Sequence, residues 1–190
     1  MSGNLDEWIQ LGRLDVALLY DHKAFENVAW TEMMAEELML IASARAPIAN
    51  AGKIAFADLV DFPLVLPARP HVARVVIEGC SSRTGKRLSQ VTDCDSLTGI
   101  VELVHHGHYT ILPHFGFAAE IARGEIVAIG IVKPTPSWRL SVVLSRRTIN
   151  YRASEAVTDV LANEIKAMVQ GGEWRAKLKV SQRHSVHGKV

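Results

Sequence analysis

The spacing of apolar residues along the chain alternates between the repeat typical of helices and the pattern typical of strands. A first helix is predicted from a cap at Asn4 to a stop at Gly12. Residues 16–20 (VALLY) follow as an unbroken apolar run, which is typical of a strand covered on both faces, as in parallel sheets. Residues 37–43 (ELMLIAS) indicate another strand. The start of the chain therefore predicts alternating helix and strand.

The same alternation continues through most of the remaining sequence. Further strands are predicted at residues 64–66, 109–113, 125–132 and 139–147. Helices are predicted at residues 56–62, where the helix stops before Pro63, at 71–80, from a cap at Asp95 or Ser96 to Gly107, and at 117–124, with residues 81–85 as a loop. Ser154 is predicted to start a long amphipathic helix that ends at Gly171, with Val157, Leu161, Ile165 and Met168 on its inner face. Alternating strands and helices predict an α/β fold.

Composition and charge narrow the function classes. The 190 residues, 48% of them hydrophobic, suffice for one globular domain or for one domain made of two lobes. A net charge of +1 argues against nucleic-acid binding by bulk electrostatics. Basic residues are concentrated only at the C-terminus, where Glu173 is the single acid beside Arg175, Lys177, Lys179, Arg183 and Lys189. We interpret this tail as a solvated, frayed terminus.

The cysteines and the apolar runs indicate the compartment. Cys80 and Cys94 belong to no CxxC pattern, so we expect free thiols in a reducing compartment. The first ten residues lack the basic and apolar regions of a secretion signal. No apolar run approaches the roughly 20 residues that a membrane helix needs. These features predict a cytoplasmic protein without a membrane partner.

The histidine-rich stretch HHGH raises the question of a metal site. His105 and His106 point in different directions from a helix end, and His108 follows Gly107. Zinc sites need convergent ligands at fixed spacings, and no such framework surrounds these residues. The sequence also lacks GxSxG, GxxxxGK[ST] and GxGxxG motifs. We therefore predict no metal, no cofactor and no enzymatic activity.

Arginine and histidine follow the strand at residues 64–66. Arg69 and His71 come directly after this strand, and Arg74 lies one turn into the next helix. Open α/β sheets bind ligands beyond the carboxyl ends of their strands, and the arginine fork suits carboxylate, phosphate or sulfate. The alternative is that Arg69 and Arg74 pair with surface acids.

Two further strand ends carry groups that suit an anion. Residues 92–96 (TDCDS) end a strand and open a helix, whose free N–H groups attract anions, although an ordinary helix cap has the same sequence. Pro113, His114 and Phe115 end a third strand, where a plain turn is the alternative. Together the three ends predict a cleft that binds a ligand. None of them offers the nucleophile and base of a cleft that reacts.

Four segments of the chain resemble a known family in order and spacing. They are MSGNLDEWIQLGRLDVALLYD, DFPLVLPARPHVAR, DCDSLTGIVELVHHGHYTILPHF and AAEIARGEIVAIGIVKPTPSWRLSVVLSRR. They resemble the effector-binding domain of LysR-type transcriptional regulators, in particular the branch that includes nitrogen-assimilation control proteins. The resemblance extends to about Met168.

The resemblance implies a fold like that of type 2 periplasmic binding proteins, with two α/β lobes joined by two crossovers and a small effector in the cleft between them. The implied lobes are residues 1–66 with 139–170, and residues 67–138, followed by a C-terminal tail at 171–190. The crossovers would lie near residues 66–67 and 137–140. The implied effector-binding residues are Ala68, Arg69, Pro70, His71, Asp95, Ser96, Pro113, His114 and Phe115.

In this family a winged helix-turn-helix, a linker helix and a first strand–helix–strand unit precede the region that this sequence resembles. The sequence is therefore expected to be N-terminally truncated, with DNA contacted only through the absent helix-turn-helix. The intact protein is expected to be a homodimer or homotetramer that binds a small anionic metabolite. A transporter's solute-binding protein with the same fold is the alternative, and a small α/β enzyme is a third possibility.

Overall fold

The computed structural model describes residues 2–22, 26–179 and 183–185, which form a mixed α/β structure. The helices are α1 (Ser2–Gln10), α2 (Val72–Thr84), α3 (Leu97–His105), α4 (Ala118–Ala122) and α5 (Tyr151–Gln170). The strands are β1 (Val16–Tyr20), β2 (Val28–Ser43), β3 (Lys53–Ala55), β4 (Leu64–Leu66), β5 (Val91–Asp93), β6 (Thr110–Pro113), β7 (Ile126–Val132), β8 (Ser137–Ser145), β9 (Ala176–Leu178) and β10 (Arg183–Ser185). Short 3₁₀ helices lie at Phe56–Leu59 and His114–Phe117. The predicted α/β class is confirmed.

The chain forms two compact units. Unit 1 comprises residues 1–36 and 138–190, and unit 2 comprises residues 37–137. The return to unit 1 after Ser137 lies within the predicted second crossover region. The chain first passes from unit 1 to unit 2 at residues 36–37 and not near the expected crossover at 66–67. The reason is that β2 is one continuous strand whose second half pairs with β6 and β7 of unit 2.

In unit 1, β1 pairs with β8 in antiparallel register, with Leu18 opposite Val142. The expectation of a strand covered on both faces in a parallel sheet was therefore wrong. Ala17 and Leu19 are buried in a cluster with Ile9 of α1, whereas Leu18 on the opposite face is 37% exposed. Helix α1 begins at Ser2, before the predicted cap at Asn4, and ends as predicted at Gly12, whose φ of +70° favours glycine.

The long helix α5 begins earlier than predicted. Asn150 is its cap, because its side-chain oxygen accepts a hydrogen bond from the Ala153 N–H, and Ser154 lies inside the helix. Ser154 and Thr158 are buried, and their hydroxyls are satisfied because each donates a hydrogen bond to the backbone oxygen four residues before it. Ile165 is buried as predicted, whereas Val157 is 49% exposed, so the inner face is rotated from the expected one.

The C-terminal residues form two strands where a frayed terminus was expected. β9 pairs antiparallel with β2, with Leu178 opposite Met34, and β10 pairs with β2 nearer its start. Trp174 and Ala176 pack against the buried cluster that contains Met34 and Ile165. The expectation was wrong because it weighed the basic side chains and missed the apolar residues that alternate with them.

In unit 2, β2 pairs antiparallel with β6 on one edge and with β7 on the other, and β3 continues the sheet parallel to β7. β4 pairs parallel with β5, and a parallel bridge joins Leu64 to Tyr109 just before β6. Helix α2 continues through the predicted loop to Thr84 and ends at Gly85 in the left-handed conformation. None of the helices in the described part of the chain has the length and apolar content needed to cross a bilayer.

Candidate functional site

The ends of β4, β5 and β6 place all nine predicted site residues in unit 2. Residues 68–71 follow β4, residues 95–96 follow β5, and residues 113–115 lie at the end of β6. These three strands run in the same direction, as the parallel β4–β5 register and the parallel bridge from Leu64 to Tyr109 show. The nine residues therefore lie at the carboxyl ends of three neighbouring parallel strands, and we call this region the strand-end site.

A direct hydrogen bond links the first two strand ends. The Ala68 N–H donates to Asp95 Oδ1 over 3.0 Å. Asp95 is thus not the cap of α3. Ser96 is the cap, because its hydroxyl oxygen accepts a hydrogen bond from the Gly99 N–H at 3.2 Å. The backbone N–H of Ala68 and the carboxylate of Asp95 therefore hold the loop after β4 and the start of α3 together.

His71 has a structural role at the start of α2. Its Nδ1 accepts a hydrogen bond from the Ala73 N–H, so the imidazole serves as the N-cap. Burial lowers the pKa of His71, and the nearby Asp95 carboxylate offsets this only in part. A neutral ring suits the cap, because an N-cap must accept a hydrogen bond.

The third strand end adds an apolar side chain to the strand-end site. His114 opens the 3₁₀ helix that follows β6, and Phe115 within it is 38% exposed. Pro113 is half-buried and pairs with Leu38 across the sheet. The site thus combines polar backbone groups with one accessible aromatic ring.

Arg69 and Arg74 both bind Glu78 on α2. Two guanidinium nitrogens of Arg69 lie 3.1 and 2.6 Å from the two carboxylate oxygens. Arg74 Nε donates to Glu78 Oε1 at 2.8 Å, and its Nη1 donates to Asp93 Oδ1 at 2.7 Å. Burial alone would raise the pKa of Glu78, but the hydrogen bonds and charges of the two arginines outweigh it and lower that pKa. The structure thus shows both arginines paired with acids, the alternative that the sequence left open.

The two arginines differ in accessibility. The Arg69 side chain is 73% exposed, whereas that of Arg74 is 16% exposed. Both line a cavity of about 750 Å³ between α2 and the start of β5, together with Glu78, Ser81, Ser82, Arg87, Leu88, Ser89 and Val91. The Arg69 guanidinium is therefore accessible to solvent, whereas Arg74 is part of the packed structure.

The histidines of the HHGH stretch lie at and just after the end of α3. His105 lies in the last turn of α3, and His106 follows it with its Nδ1 2.8 Å from the Glu102 carbonyl oxygen. Within the described ranges, no three histidine, cysteine, aspartate or glutamate side chains are grouped to hold a metal ion. Cys80 is buried and Cys94 is half-buried, and both are free thiols.

Sequence reasoning missed a buried carboxylate in unit 1. Glu36 is 1% exposed and accepts hydrogen bonds from the indole N–H groups of Trp138 at 2.8 Å and Trp174 at 2.6 Å. The Tyr20 side chain also hydrogen-bonds to it and stacks on Trp138. Burial raises the pKa of Glu36, and the three donors lower it only in part. Burial and the Glu36 charge likewise raise the pKa of Tyr20. We call these four residues the Glu36 cluster.

Comparison with known proteins identifies the family. The family model described as the LysR substrate binding domain matches residues 1–166. The HTH-type transcriptional regulator BbuR of Bordetella bronchiseptica is 24% identical over 175 residues, which are 92% of this chain and 54% of BbuR. The chain thus spans about half the length of this curated relative.

Solved structures agree on the fold. The CcmR regulatory domain of Synechocystis PCC6803, solved in complex with 2-PG, has a TM-score of 0.76 at 17% identity, covering 88% of this chain and 81% of that one. The reduced OxyR regulatory domain of Pseudomonas aeruginosa has a TM-score of 0.70 at 20% identity, covering 87% and 78%. This fold is that of the type 2 periplasmic binding proteins. With a family match over most of its length, the chain belongs to the LysR substrate-binding domain family.

Proposed function

We propose that the chain is the effector-sensing domain of a bacterial LysR-type transcriptional regulator and that its strand-end site binds a small anionic metabolite. Binding would favour one conformation of the domain over another and so change the regulator's action on transcription. The intact regulator would act as a homo-oligomer and contact DNA through a separate helix-turn-helix. Membership of the nitrogen-assimilation branch stays a prediction.

The observation that carries the proposal is the pair of helices that begin at the same edge of the sheet. α2 and α3 follow the parallel strands β4 and β5, and the Ala68–Asp95 hydrogen bond holds their starts together. The caps His71 and Ser96 each accept one N–H group. The first turn of a helix has further N–H groups without intrahelical partners, and its dipole favours an anion.

Asp95 places a negative charge close to this pair of helix starts. Its Oδ1 accepts a hydrogen bond from the Ala68 N–H. An anion at this site therefore needs a mobile cation as well, and Arg69 supplies one at the end of the same loop. The complex of the CcmR regulatory domain with 2-PG supports a small ligand for this fold.

Arg69 is expected to exchange Glu78 for the ligand. A charge-assisted hydrogen bond contributes about 1.5–3 kcal/mol, but the lost contact with Glu78 offsets part of that. We therefore expect Arg69→Ala to weaken binding about tenfold. Arg69→Lys keeps the charge without the fork, so its affinity should be intermediate.

Calorimetry with small mono- and dicarboxylates and phosphorylated acids, each with a neutral analogue, tests the proposal. Arg45→Ala is the matched control, because Arg45 is an exposed arginine of unit 2 away from the three strand ends. The proposal fails if only neutral compounds bind, or if Arg69→Ala and Arg45→Ala have equal effects. The variant Ser96→Ala, which removes the cap of α3, provides a second test at the same site.

A further inference from the structure

We propose that the ligand of the strand-end site is a carboxylate with an apolar body, and that Leu97 and Phe115 contact this apolar body. The ligand class rests on the proposed function, because it concerns the same site. It narrows the small anion of that proposal to aliphatic or aromatic monocarboxylates, as opposed to phosphorylated or hydroxylated acids.

Leu97 and Phe115 follow two strand ends that lie on either side of a third. β4 pairs parallel with β5, and the parallel bridge from Leu64 to Tyr109 places the start of β6 on the other side of β4. Leu97 is the first residue of α3, four positions after the end of β5, and Phe115 lies two positions after the end of β6. Neighbouring strands are about 4.8 Å apart, so these two ends are roughly 9.6 Å apart, with the loop that carries Arg69 between them.

Both side chains are accessible. Leu97 is 50% exposed and Phe115 is 38% exposed, and with Val75 they make up the exposed large apolar side chains in the described part of unit 2. Phe115 has a further contact in the structure, so the ligand is assigned to the exposed part of its ring. Single exposed apolar side chains are common on protein surfaces. Leu97 and Phe115 differ from such residues because they lie beside groups that suit an anion.

The start of α3 offers polar and apolar contacts at the same residue. Ser96 caps the helix by accepting a hydrogen bond from the Gly99 N–H. The N–H groups of Leu97 and Thr98 have no intrahelical acceptor, because the helix begins with these residues. An anionic group bound at this helix start lies next to the Leu97 side chain. A carboxylate with an apolar body therefore satisfies both contacts at once.

The charges at the strand ends favour one negative charge on the ligand over two. Arg69 supplies an accessible guanidinium, but it is paired with Glu78, and the Asp95 side chain lies at the same strand ends. A phosphate monoester carries a charge of about −1.5 to −2 at neutral pH, whereas a carboxylate carries a single charge. Repulsion by the two acidic side chains grows with the charge of the ligand. A monocarboxylate limits this repulsion and gains affinity from its apolar body.

Isothermal titration calorimetry with the whole chain tests the ligand class. The probes are acetate, butyrate, hexanoate and benzoate, with 3-hydroxybutyrate and 3-phosphoglycerate as polar acids and hexanamide as the neutral analogue. Hexanoate should bind up to about 15-fold more tightly than butyrate, because each buried methylene contributes up to about fourfold. The two polar acids and hexanamide should bind more weakly than hexanoate.

The outcomes distinguish the ligand class from the proposed function. Tighter binding of 3-phosphoglycerate than of hexanoate and benzoate overturns the apolar ligand and supports the anionic one. Hexanamide binding as tightly as hexanoate overturns both, since the charge would then contribute nothing. Absence of binding by hexanoate and benzoate at millimolar concentration also overturns the apolar ligand.

Substitution of the two apolar residues provides a second test. Leu97→Ala should weaken the binding of hexanoate and benzoate about three- to tenfold and that of acetate less than about twofold, because acetate has almost no apolar body. Phe115→Ala should act in the same direction. Leu97→Met keeps an apolar side chain and should bind hexanoate like the unmodified chain. The thermal midpoint of each variant checks that it folds.

The matched control is Leu11→Ala, because Leu11 is 49% exposed and lies in unit 1. It should leave hexanoate binding unchanged. Equal effects of Leu97→Ala and Leu11→Ala overturn the apolar ligand. A change in sedimentation of Leu97→Ala without a change in hexanoate binding also overturns it, because a second copy of the chain would then be what covers Leu97.

Discussion

The Glu36 cluster of unit 1 and the arginine–glutamate pairs of unit 2 use charged side chains in opposite ways. Glu36 is buried and accepts hydrogen bonds from two indoles and a phenol, so every partner is a neutral donor fixed by packing. Arg69 is largely exposed and shares Glu78 with Arg74, so its ion pair with Glu78 is accessible to solvent. A polar group enclosed by neutral partners supports the fold, and an exposed ion pair leaves a charge available for a ligand.

The largest expected effect is the loss of the carboxylate in the Glu36 cluster. Glu36→Ala leaves the indole N–H groups of Trp138 and Trp174 without their buried acceptor and opens a cavity. We expect a loss of about 3–5 kcal/mol in the free energy of unfolding, measured by urea denaturation.

Glu36→Gln provides the control for this substitution. It keeps an acceptor oxygen and the volume, so we expect a loss of about 1–2 kcal/mol. Hydrogen exchange should show faster exchange at β9 in Glu36→Ala than in Glu36→Gln, because Trp174 no longer anchors that strand. Equal stability of both variants would show that the carboxylate is not what holds β9.

Arg74→Ala tests how much the less exposed of the two arginines contributes to stability. Arg74 holds Glu78 and Asp93 and its side chain is mostly buried, so we expect a loss of about 1–2 kcal/mol in the free energy of unfolding. Arg69→Ala removes only an exposed arginine and should cost less than about 1 kcal/mol. A larger loss in Arg69→Ala than in Arg74→Ala would contradict the assignment of Arg69 as the exchangeable partner.

The two glutamates should respond to pH with opposite signs. The folded-state pKa of Glu78 is lowered, so its contribution is present above the usual glutamate pKa and is lost as pH falls through the folded value. The folded-state pKa of Glu36 is raised, so stability from this group is present below the usual glutamate pKa and is lost as pH rises toward the folded value.

Urea titrations of the unmodified chain, Glu78→Gln and Glu36→Gln across this pH range measure both effects. The stability difference from Glu78→Gln should shrink on acidification by about 0.5 kcal/mol, the scale of an exposed ion pair. The difference from Glu36→Gln should change in the opposite direction. The same sign for both would mean that burial of Glu36 does not dominate its ionisation.

The smallest expected effect comes from freeing Arg69 by the substitution Glu78→Gln. If Glu78 competes with the anion for this guanidinium, its neutralisation should tighten anion binding about two- to threefold in calorimetry. Glu102→Gln is the control, since Glu102 is an exposed glutamate on α3 without a side-chain ion pair in the described structure. Unchanged affinity in Glu78→Gln would mean that the pair with Arg69 does not compete with the ligand.

The local sequence predicted most elements, and two of those that it missed are the first half of β2 and the strand β9. The first half of β2 escaped notice because its polar residues include the buried Glu36, and burial of a carboxylate depends on donors elsewhere in the fold. β9 did carry a usable signal, since Trp174, Ala176 and Leu178 alternate with Arg175, Lys177 and Lys179. That period-two pattern indicates a half-buried strand, even where three of the residues are charged.

For the candidate site, the sequence predicted that three strand ends together carry the groups that bind a ligand. It also identified Ser96 as a possible cap, because the shape of a strand–turn–helix junction is set by residues close in sequence. The role of Asp95 was not predicted, since its partner is the Ala68 N–H, 27 positions away. The partner of Arg69 was left open, because a choice among surface acids depends on how the helix is turned.

The sequence by itself determined the alternation of helices and strands and the glycine at which α1 ends, because backbone conformation depends on nearby residues. Only the tertiary structure decided which charged groups are enclosed and which stay accessible. The donors of Glu36 come from positions 102 and 138 residues away, and no local pattern brings such residues together. The cost of burying a charge depends on those distant partners, so the fold determines whether a carboxylate stabilises the protein or remains available to bind.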